Sequence, residues 1–356
     1  MKIKNLLICL AAGNSQKNLI FRAKLLGYFI VAIDQNKKAP GFEFADFKIF
    51  KSTHDSEPII KELKELEKHY KFVGVLNRSA GPPVITAAKI CKYFDIPGVP
   101  IKTAKIFTNK DQMRSEFKSK NIPIPNFKIF LINKFKNNNK FLFPAVLKPA
   151  LSLRGKFGVT IVHSKERIER AVKYAEKYSI NNKIIMEEYL EGPDLSLISF
   201  VDKKKLFPIC LLEEINKVEK NGRITRSGYR TIKKEYKQWF IESCKIAKNI
   251  ISKFNIIRSP LMISFRPDSM GKLKIIELHL DIGGEMLLEK FYPNALPFDY
   301  TSLIFNMVTG KIKKINKFEL KPTAIFFKGG KVSVNTCQII KAKSEKTLES
   351  KINFYN

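Results

Sequence analysis

Two largely apolar stretches, residues 6–12 and 28–34, the second ending in the acid Asp34, open the chain, separated by the turn AAGNSQ and a mixed segment at 18–26. Short apolar runs without alternation suit strands buried on both faces, and the mixed segment suits a helix covering them. The opening therefore reads strand, turn, helix, strand, the first unit of a parallel sheet. The alternation continues with an amphipathic helix at 59–69, a strand at 72–76 (FVGVL), a helix at 84–94 and the closing IPGVP at 96–100. A helix at 111–120 and the IPIP of 122–125 mark a boundary. Beyond it the spacing changes: strands at 145–149 and 159–162, a helix at 167–178 and a strand at 183–190. From Asp194 the strands at 195–201 and 206–212 read as antiparallel. A helix at 234–254 then precedes paired strands at 261–266 and 273–279. The predicted fold class is α/β (α+β), with a Rossmann-like parallel sheet domain first.

The strand ending IIELHLDIGGE (275–285) carries the densest chemistry. Strand side chains alternate between faces, so Glu277, His279 and Asp281 are expected on one side of the sheet. Three ionisable groups in a row either edge the sheet toward solvent or face something charged. Gly283 and Gly284 follow and permit a tight turn. In the middle region, Lys148 lies in a strand ahead of a loop carrying Ser152, Arg154, Gly155, Lys156 and Gly158. Small residues expose backbone N–H groups to phosphate oxygens, and the cations offset their charge. Further on, EEYLEGPD (187–194) offers a strand end, a turn and an acid. Taken singly these features also occur as hairpins and surface strands; their order and spacing give them weight together.

Composition narrows the classes. At 356 residues the chain has room for two or three domains. Five scattered cysteines without a CxxC pair suggest reduced core thiols, and so a cytoplasmic protein. The start MKIKNLLICLAAG has features of a signal peptide, but a first strand explains more of the pattern. No apolar run approaches the ~20 residues of a membrane span. The net charge of +32 points to a polyanion unless it is spread. Here the lysines are spread, alongside much Asn, Ile and Phe, as an AT-rich coding bias would produce. The most concentrated basic stretches, 128–140 and 311–321, read as surface loops, so nucleic acid is not expected as a partner. The nucleotide fingerprint GxGxxG is absent from the first turn, which holds Gly13 alone.

Taken in order, these motifs resemble the ATP-grasp superfamily, and most closely its carboxylate–amine ligase and biotin carboxylase-like members. The segments carrying the resemblance are TNKDQMR (108–114), FPAVLKP (143–149), LSLRGKFGV (151–159), IIMEEYLEGPDLSL (184–197) and LMISFRPDSMGKLKIIELHLDIGG (261–284). The resemblance implies a two-lobed ATP-grasp fold after the first domain. Its divisions would be 1–108, a pre-ATP-grasp Rossmann-like domain; 109–190, the small or lid lobe; 191–315, the large lobe with the metal site; and 316–356, an extension packing on the large lobe. It implies ATP held at Lys110, Lys148, Arg154 and Lys156 through its phosphates, at Glu187, Glu188 and Leu190 through its adenine, and at Asp194 through its ribose. Mg²⁺ or Mn²⁺ would sit at Glu277, with His279 and Asp281 as further ligands, or with His279 as a base.

The chain departs from that family where Ser264 replaces an acid, His279 an Asn and Asp281 an Arg. Asp281 is expected to restore the charge lost at Ser264. Arg226 and Arg230, in RITRSGYR (223–230), are candidates for gripping a substrate carboxylate. The activity implied is an ADP-forming C–N ligation of small-molecule carboxylate and amine substrates through an acylphosphate. Another ATP-grasp phosphotransfer reaction, such as a kinase or biotin carboxylase-like one, and a decayed binding or scaffold protein are the alternatives. A homodimer through the N-terminal sheet is in keeping with similar proteins.

Overall fold

A computed structural model of the chain describes residues 4–135, 142–152, 156–284, 286–327 and 336–355. The first domain is built on four parallel strands, β1 (Lys4–Leu10), β2 (Phe29–Ile33), β3 (Phe47–Ile49) and β4 (Tyr70–Asn77), ordered β3-β2-β1-β4. Its helices are α1 (Asn14–Leu25), α2 (Ser56–Glu67) and α3 (Pro82–Tyr93). The apolar runs are buried on both faces, as expected. Leu6, Ile8, Val31 and Ile33 pack with Ile59 and Leu63 of α2 and Ile90 of α3. Leu7, Cys9, Ile30 and Ala32 pack with Leu19, Ile20 and Ala23 of α1 on the other face.

The chain then runs through α4 (Ile101–Phe107) and α5 (Lys110–Ser119) into a small antiparallel sheet of β5 (Phe127–Leu131), β6 (Ala145–Pro149), β7 (Thr160–Val162) and β8 (Lys183–Glu188), backed by α6 (Ile168–Glu176). Its order is β5-β8-β6-β7. A basic surface loop was expected at 128–140, but β5 occupies its start. Phe130 packs on the small-lobe core while Leu131 is exposed, so the four apolar residues of FKIFL carry no clean alternation to mark the strand.

The large lobe is a seven-stranded antiparallel sheet. It comprises β9 (Asp194–Asp202), β10 (Lys205–Val218), β11 (Ile224–Thr231), β12 (Arg258–Pro267), β13 (Leu273–His279), β14 (Thr323–Phe327) and β15 (Cys337–Lys341). The order is β13-β12-β9-β10-β11-β14-β15. Residues beyond 316 thus extend the sheet edge through β14 and β15, instead of merely packing on it. The helices are α7 (Lys237–Lys253), α8 (Tyr292–Ala295), α9 (Tyr300–Val308) and α10 (Glu345–Tyr355).

Along β9 and β12 the odd-numbered Leu195, Leu197, Leu261, Ile263 and Phe265 pack beneath Ala247, Ile250 and Ile251 of α7. The even-numbered residues form the other face. Ile198 and Phe200 share a core with β1, β2, α8 and α9, which fastens the first domain to the large lobe. At Gly74 of β4 a Cβ would stand 2.4 Å from a Val308 side-chain carbon and 2.6 Å from the Val308 carbonyl oxygen, so no side chain fits where α9 crosses. Toward the other end of the same face the residues turn polar: Asp194 and Ser196 on β9, Ser264 and Arg266 on β12. That polar end faces the small lobe.

Candidate active site

A cleft of about 830 Å³ lies between the lobes, lined by Lys110, Lys148, Ser152, Lys156, Glu187, Glu188, Tyr189, Leu190, Asp194, Arg266 and Glu277 among others. Eight of these eleven residues are positions expected to hold ATP or metal, drawn from five segments far apart in sequence. Arg154 lies outside the described residues.

Local geometry explains the convergence. Ser264 pairs with Glu277 across β12 and β13, but Phe265 pairs with Ile275, so Ile276 is an extra, bulged residue. Before the bulge Leu273 and Ile275 face the core; after it Leu278 and Leu280 do. The inserted residue reverses the parity and turns Glu277 and His279 toward the cleft. The freed carbonyl of Ile276 accepts from Arg114 Nη2 at 2.7 Å.

Glu187, expected beside adenine, lines the cleft, and its carboxylate is buried with Arg114 Nε at 2.5 Å and Lys148 Nζ at 2.7 Å. Burial alone would raise its pKa, but Arg114 and Lys148 hold it down at about 2. Burial pushes Lys148 down to about 8, with the nearby Arg114 adding to the effect and Glu187 only partly opposing it. Lys110 Nζ stands 2.9 Å from Glu277 Oε1. Lys156 Nζ donates to Asn216 Oδ1 at 2.6 Å and Glu214 Oε2 at 3.2 Å. Each described lysine expected at phosphate thus rests on an acceptor of the protein.

Asp194, the expected ribose acceptor, is clasped by Arg266 through Nε and Nη2, both at 2.6 Å, and accepts from Asn216 Nδ2 at 2.6 Å. A carboxylate has about four acceptor positions, so about one remains for a hydroxyl. Arg266 also donates to the Leu190 carbonyl at 2.6 Å and lies 5.1 Å from the Tyr189 ring centroid. Glu188 accepts from Asn126 Nδ2 at 2.6 Å. The sequence reading missed Arg266. Its signal was its place two residues after Ser264, which puts both on the cleft face of one strand.

His279 lies between two acids, with Nε2 3.5 Å from Glu277 Oε2 and Nδ1 3.8 Å from Asp281 Oδ2. Burial opposes protonation, but Glu277 and then Asp281 overcome it and raise the His279 pKa. Asp281 Oδ1 accepts from the Gly283 backbone N–H at 2.8 Å, while Oδ2 is buried with no hydrogen-bond partner. Among the described residues no three such side chains converge as a metal cage. The donor set still fits Mg²⁺, which commonly takes one or two carboxylates and completes its octahedron with phosphate oxygens and water. Glu277, one-third exposed at the cleft, is the carboxylate placed for that.

The two arginines of RITRSGYR separate. The segment is strand β11, and Ser227 is bulged, because Gly228 pairs with Ile215 while Arg226 pairs with Asn216. Arg226 therefore shares the cleft face with Glu214, its Nη2 2.8 Å from Glu214 Oε2. Arg230 pairs opposite Glu213, buried on the other face and bonded to Glu349 of α10. It cannot grip a substrate in the cleft. A one-residue bulge leaves no mark in composition, so the sequence could not separate the two arginines.

The lobes also meet away from these groups. Ile161 N donates to Gly222 O at 2.9 Å, joining β7 to the tip of the β10–β11 hairpin. Gly222 has φ +82°, and a Cβ there would lie 2.3 Å from the Ile161 carbonyl oxygen. Gly222→Ala is expected to undock the tip, costing on the order of 1–3 kcal/mol locally. Faster amide exchange at Ile161 checks it.

A family model described as phosphoribosylglycinamide synthetase, ATP-grasp (A) domain, matches residues 108–228. The chain is 29% identical over 194 residues to a formate-dependent phosphoribosylglycinamide formyltransferase of Prochlorococcus marinus (strain AS9601), covering 52% of this chain and 48% of that one. It spans about half the length of the first curated relatives it matches. In fold it is similar to an L-amino acid ligase from Bacillus licheniformis, with TM-score 0.72 and 19% identity over 92% of this chain and 80% of the other. An N5-carboxyaminoimidazole synthetase from Staphylococcus aureus, solved with ADP, aligns at TM-score 0.76 and 13% identity over 99% and 97%. Among the described residues no helix is long and apolar enough to cross a membrane. The bulged strand, the hinge and the three lysines thus meet in one interlobe cleft, and residues 108–228 are similar to the ATP-grasp (A) domain of that family model.

Proposed function

We propose that the protein is an ATP-dependent carboxylate–amine ligase that forms an amide on a small anionic metabolite and releases ADP and phosphate. The observation that carries this reading is the meeting of Lys110, Lys148 and Lys156 with Glu277 in one cleft beside the 187–190 hinge. In this reading the polyphosphate draws the three lysines off their carboxylate partners, replacing one set of charge-assisted contacts with another. Glu188 and Leu190 supply backbone groups to the base, and Asp194 its remaining acceptor position to the ribose. Glu277 would hold Mg²⁺, which would supply charge stabilisation as the substrate carboxylate attacks the γ-phosphate and ADP leaves. Arg226 steers the acid toward the cleft, an amine displaces phosphate from the acylphosphate, and the Lys156 loop excludes water. The partners are small molecules, with nucleic acid not among them.

ADP release that requires an acid and an amine together tests the reaction, and release without an amine would sink the ligase reading. Lys148→Ala is expected to weaken ATP by roughly 10- to 150-fold, the value of a charge-assisted contact of about 1.5–3 kcal/mol. The same lysine sets a pH dependence. Free Lys148 discharges near pH 8, whereas phosphate favours its charged form. Wild-type affinity should therefore fall as pH rises above about 8, with proton uptake on binding. Calorimetry in buffers of different ionisation enthalpy reads that uptake, and a flat profile would remove Lys148 from the phosphate site.

A further inference from the structure

The seam between β7 and the hairpin tip has two sides. Val159 and Ile224 line the ATP cleft, while their neighbours Thr160 and Arg223 line a separate recess of about 630 Å³ on the outer side. Ile161 lines the recess as well, so the one seam borders both spaces. Arg167, Arg170 and Tyr174 border the recess from the small lobe, and Lys220 and Arg223 from the hairpin.

The four cations Arg167, Arg170, Lys220 and Arg223 are exposed, and three observations bear on what they do together. First, none of its four cations forms an ion pair among the described residues. By contrast, Lys110, Lys148, Lys156, Arg226 and Arg266 in and around the cleft each have a carboxylate partner. Like charges gathered without a counter-charge repel one another, and an anion among them relieves that repulsion. Second, Arg223 is held rather than loose: its guanidinium lies 4.1 Å from the centroid of the Tyr174 ring. Third, the Thr160 hydroxyl is buried without a hydrogen-bond partner, and Thr160 is 7% exposed. That oxygen lies beneath the surface of the recess, so a ligand oxygen recovers its missing hydrogen bond only where the seam gives slightly to admit it.

We infer that this recess is a second anion site, apart from the ATP cleft, that takes a small phosphate-bearing molecule between the small lobe and the hairpin. Its concavity and its sharing between two lobes suit a compact oxyanion better than a polymer, which needs an open stripe. Such a ligand bridges the same seam that closes the cleft, so its binding favours the docked hairpin. The inference stands independently of the ligase reading.

The test uses inorganic pyrophosphate as probe. Wild type is first saturated with the β,γ-imido analogue of ATP, so that the cleft cannot take the probe, and pyrophosphate is then titrated by calorimetry. One saturable event is expected, weakened at least about tenfold in the Arg167→Gln/Arg170→Gln double variant, which removes two charge-assisted contacts. If the cleft takes no nucleotide, the loss in the double variant still reports the recess, which separates failure here from failure of the cleft assignment. Absence of a saturable event in saturated wild type would overturn the inference, as would equal binding by the double variant. So would tight binding of a single-stranded oligonucleotide in place of pyrophosphate.

Discussion

Glu277→Gln is expected to lower ADP-forming turnover by about a thousandfold while leaving the thermal midpoint nearly unchanged. The reasoning starts from the row Glu277, Ser264, Ser196 across β13, β12 and β9 on the cleft face. Ser264 carries no charge and contacts Ser196 at 3.3 Å, so Glu277 is the acid of that row. Partial burial alone would raise its pKa, but Lys110 and then His279 hold it well below the usual range. A carboxylate that stays charged is what a divalent ion needs. Losing the charge stabilisation such an ion provides costs several kcal/mol at the transition state, and about 4 kcal/mol is a thousandfold in rate. Stability should hardly move, because a pair at a one-third exposed carboxylate contributes little. Mn²⁺ affinity read by paramagnetic resonance gives a check independent of turnover. Unchanged Mn²⁺ binding by Glu277→Gln, or more than a tenth of wild-type turnover, would move the ion elsewhere. Asp281→Asn is the contrast, since one oxygen of Asp281 is already spent on the Gly283 turn.

The fold was legible wherever period and burial agree. β1, β2, β6 and β13 stand within two residues of their expected bounds, because apolar runs buried on two faces and clean alternation leave little choice. The order of the motifs located Lys110, Lys148, Lys156 and the hinge correctly in one cleft. What escaped depended on partners distant in sequence. Arg114 was quoted within a motif without a role, since only folding brings it to Glu187 from β8 and to the freed carbonyl of Ile276. The bulges at Ile276 and Ser227 each insert one residue and flip the face of everything beyond. One of them aimed Glu277 at the cleft, and the other carried Arg230 away from it. β14 and β15 went unpredicted: each is five residues long, TAIFF of β14 is an apolar run too short to name its element, and β15 is an edge strand that pairs only with β14.

Glu187→Leu is expected to be the most destabilising single change at the site, by about 3–5 kcal/mol, far more than Lys148→Met. Both remove half of the same 2.7 Å pair, yet they leave different residues behind. Without Glu187, two cations lie buried together: Arg114, which is 0% exposed and already has one unpartnered nitrogen, and Lys148. An unpaired buried charge is what makes breaking such a pair expensive. Without Lys148, Glu187 keeps Arg114 at 2.5 Å. Removing Lys148 also relieves a group that burial has already pushed down to about 8. Linkage separates the two further. Glu187 is held at about 2 in the fold, below its unfolded value, so its contribution is present above pH about 4.5 and is lost as pH falls toward 2. Glu187→Leu should flatten acid unfolding in that window. Lys148 is depressed in the fold, so between pH 8 and 10.5 the unfolded chain holds its proton more tightly, and stability gains with rising pH there. Lys148→Met should flatten that rise. Denaturant unfolding across both windows reads the two effects. Equal losses for the two variants near neutral pH would mean that Arg114 tolerates burial without its carboxylate, and that the network spanning α5, β6, β8 and the bulge of β13 does not hold the cleft together.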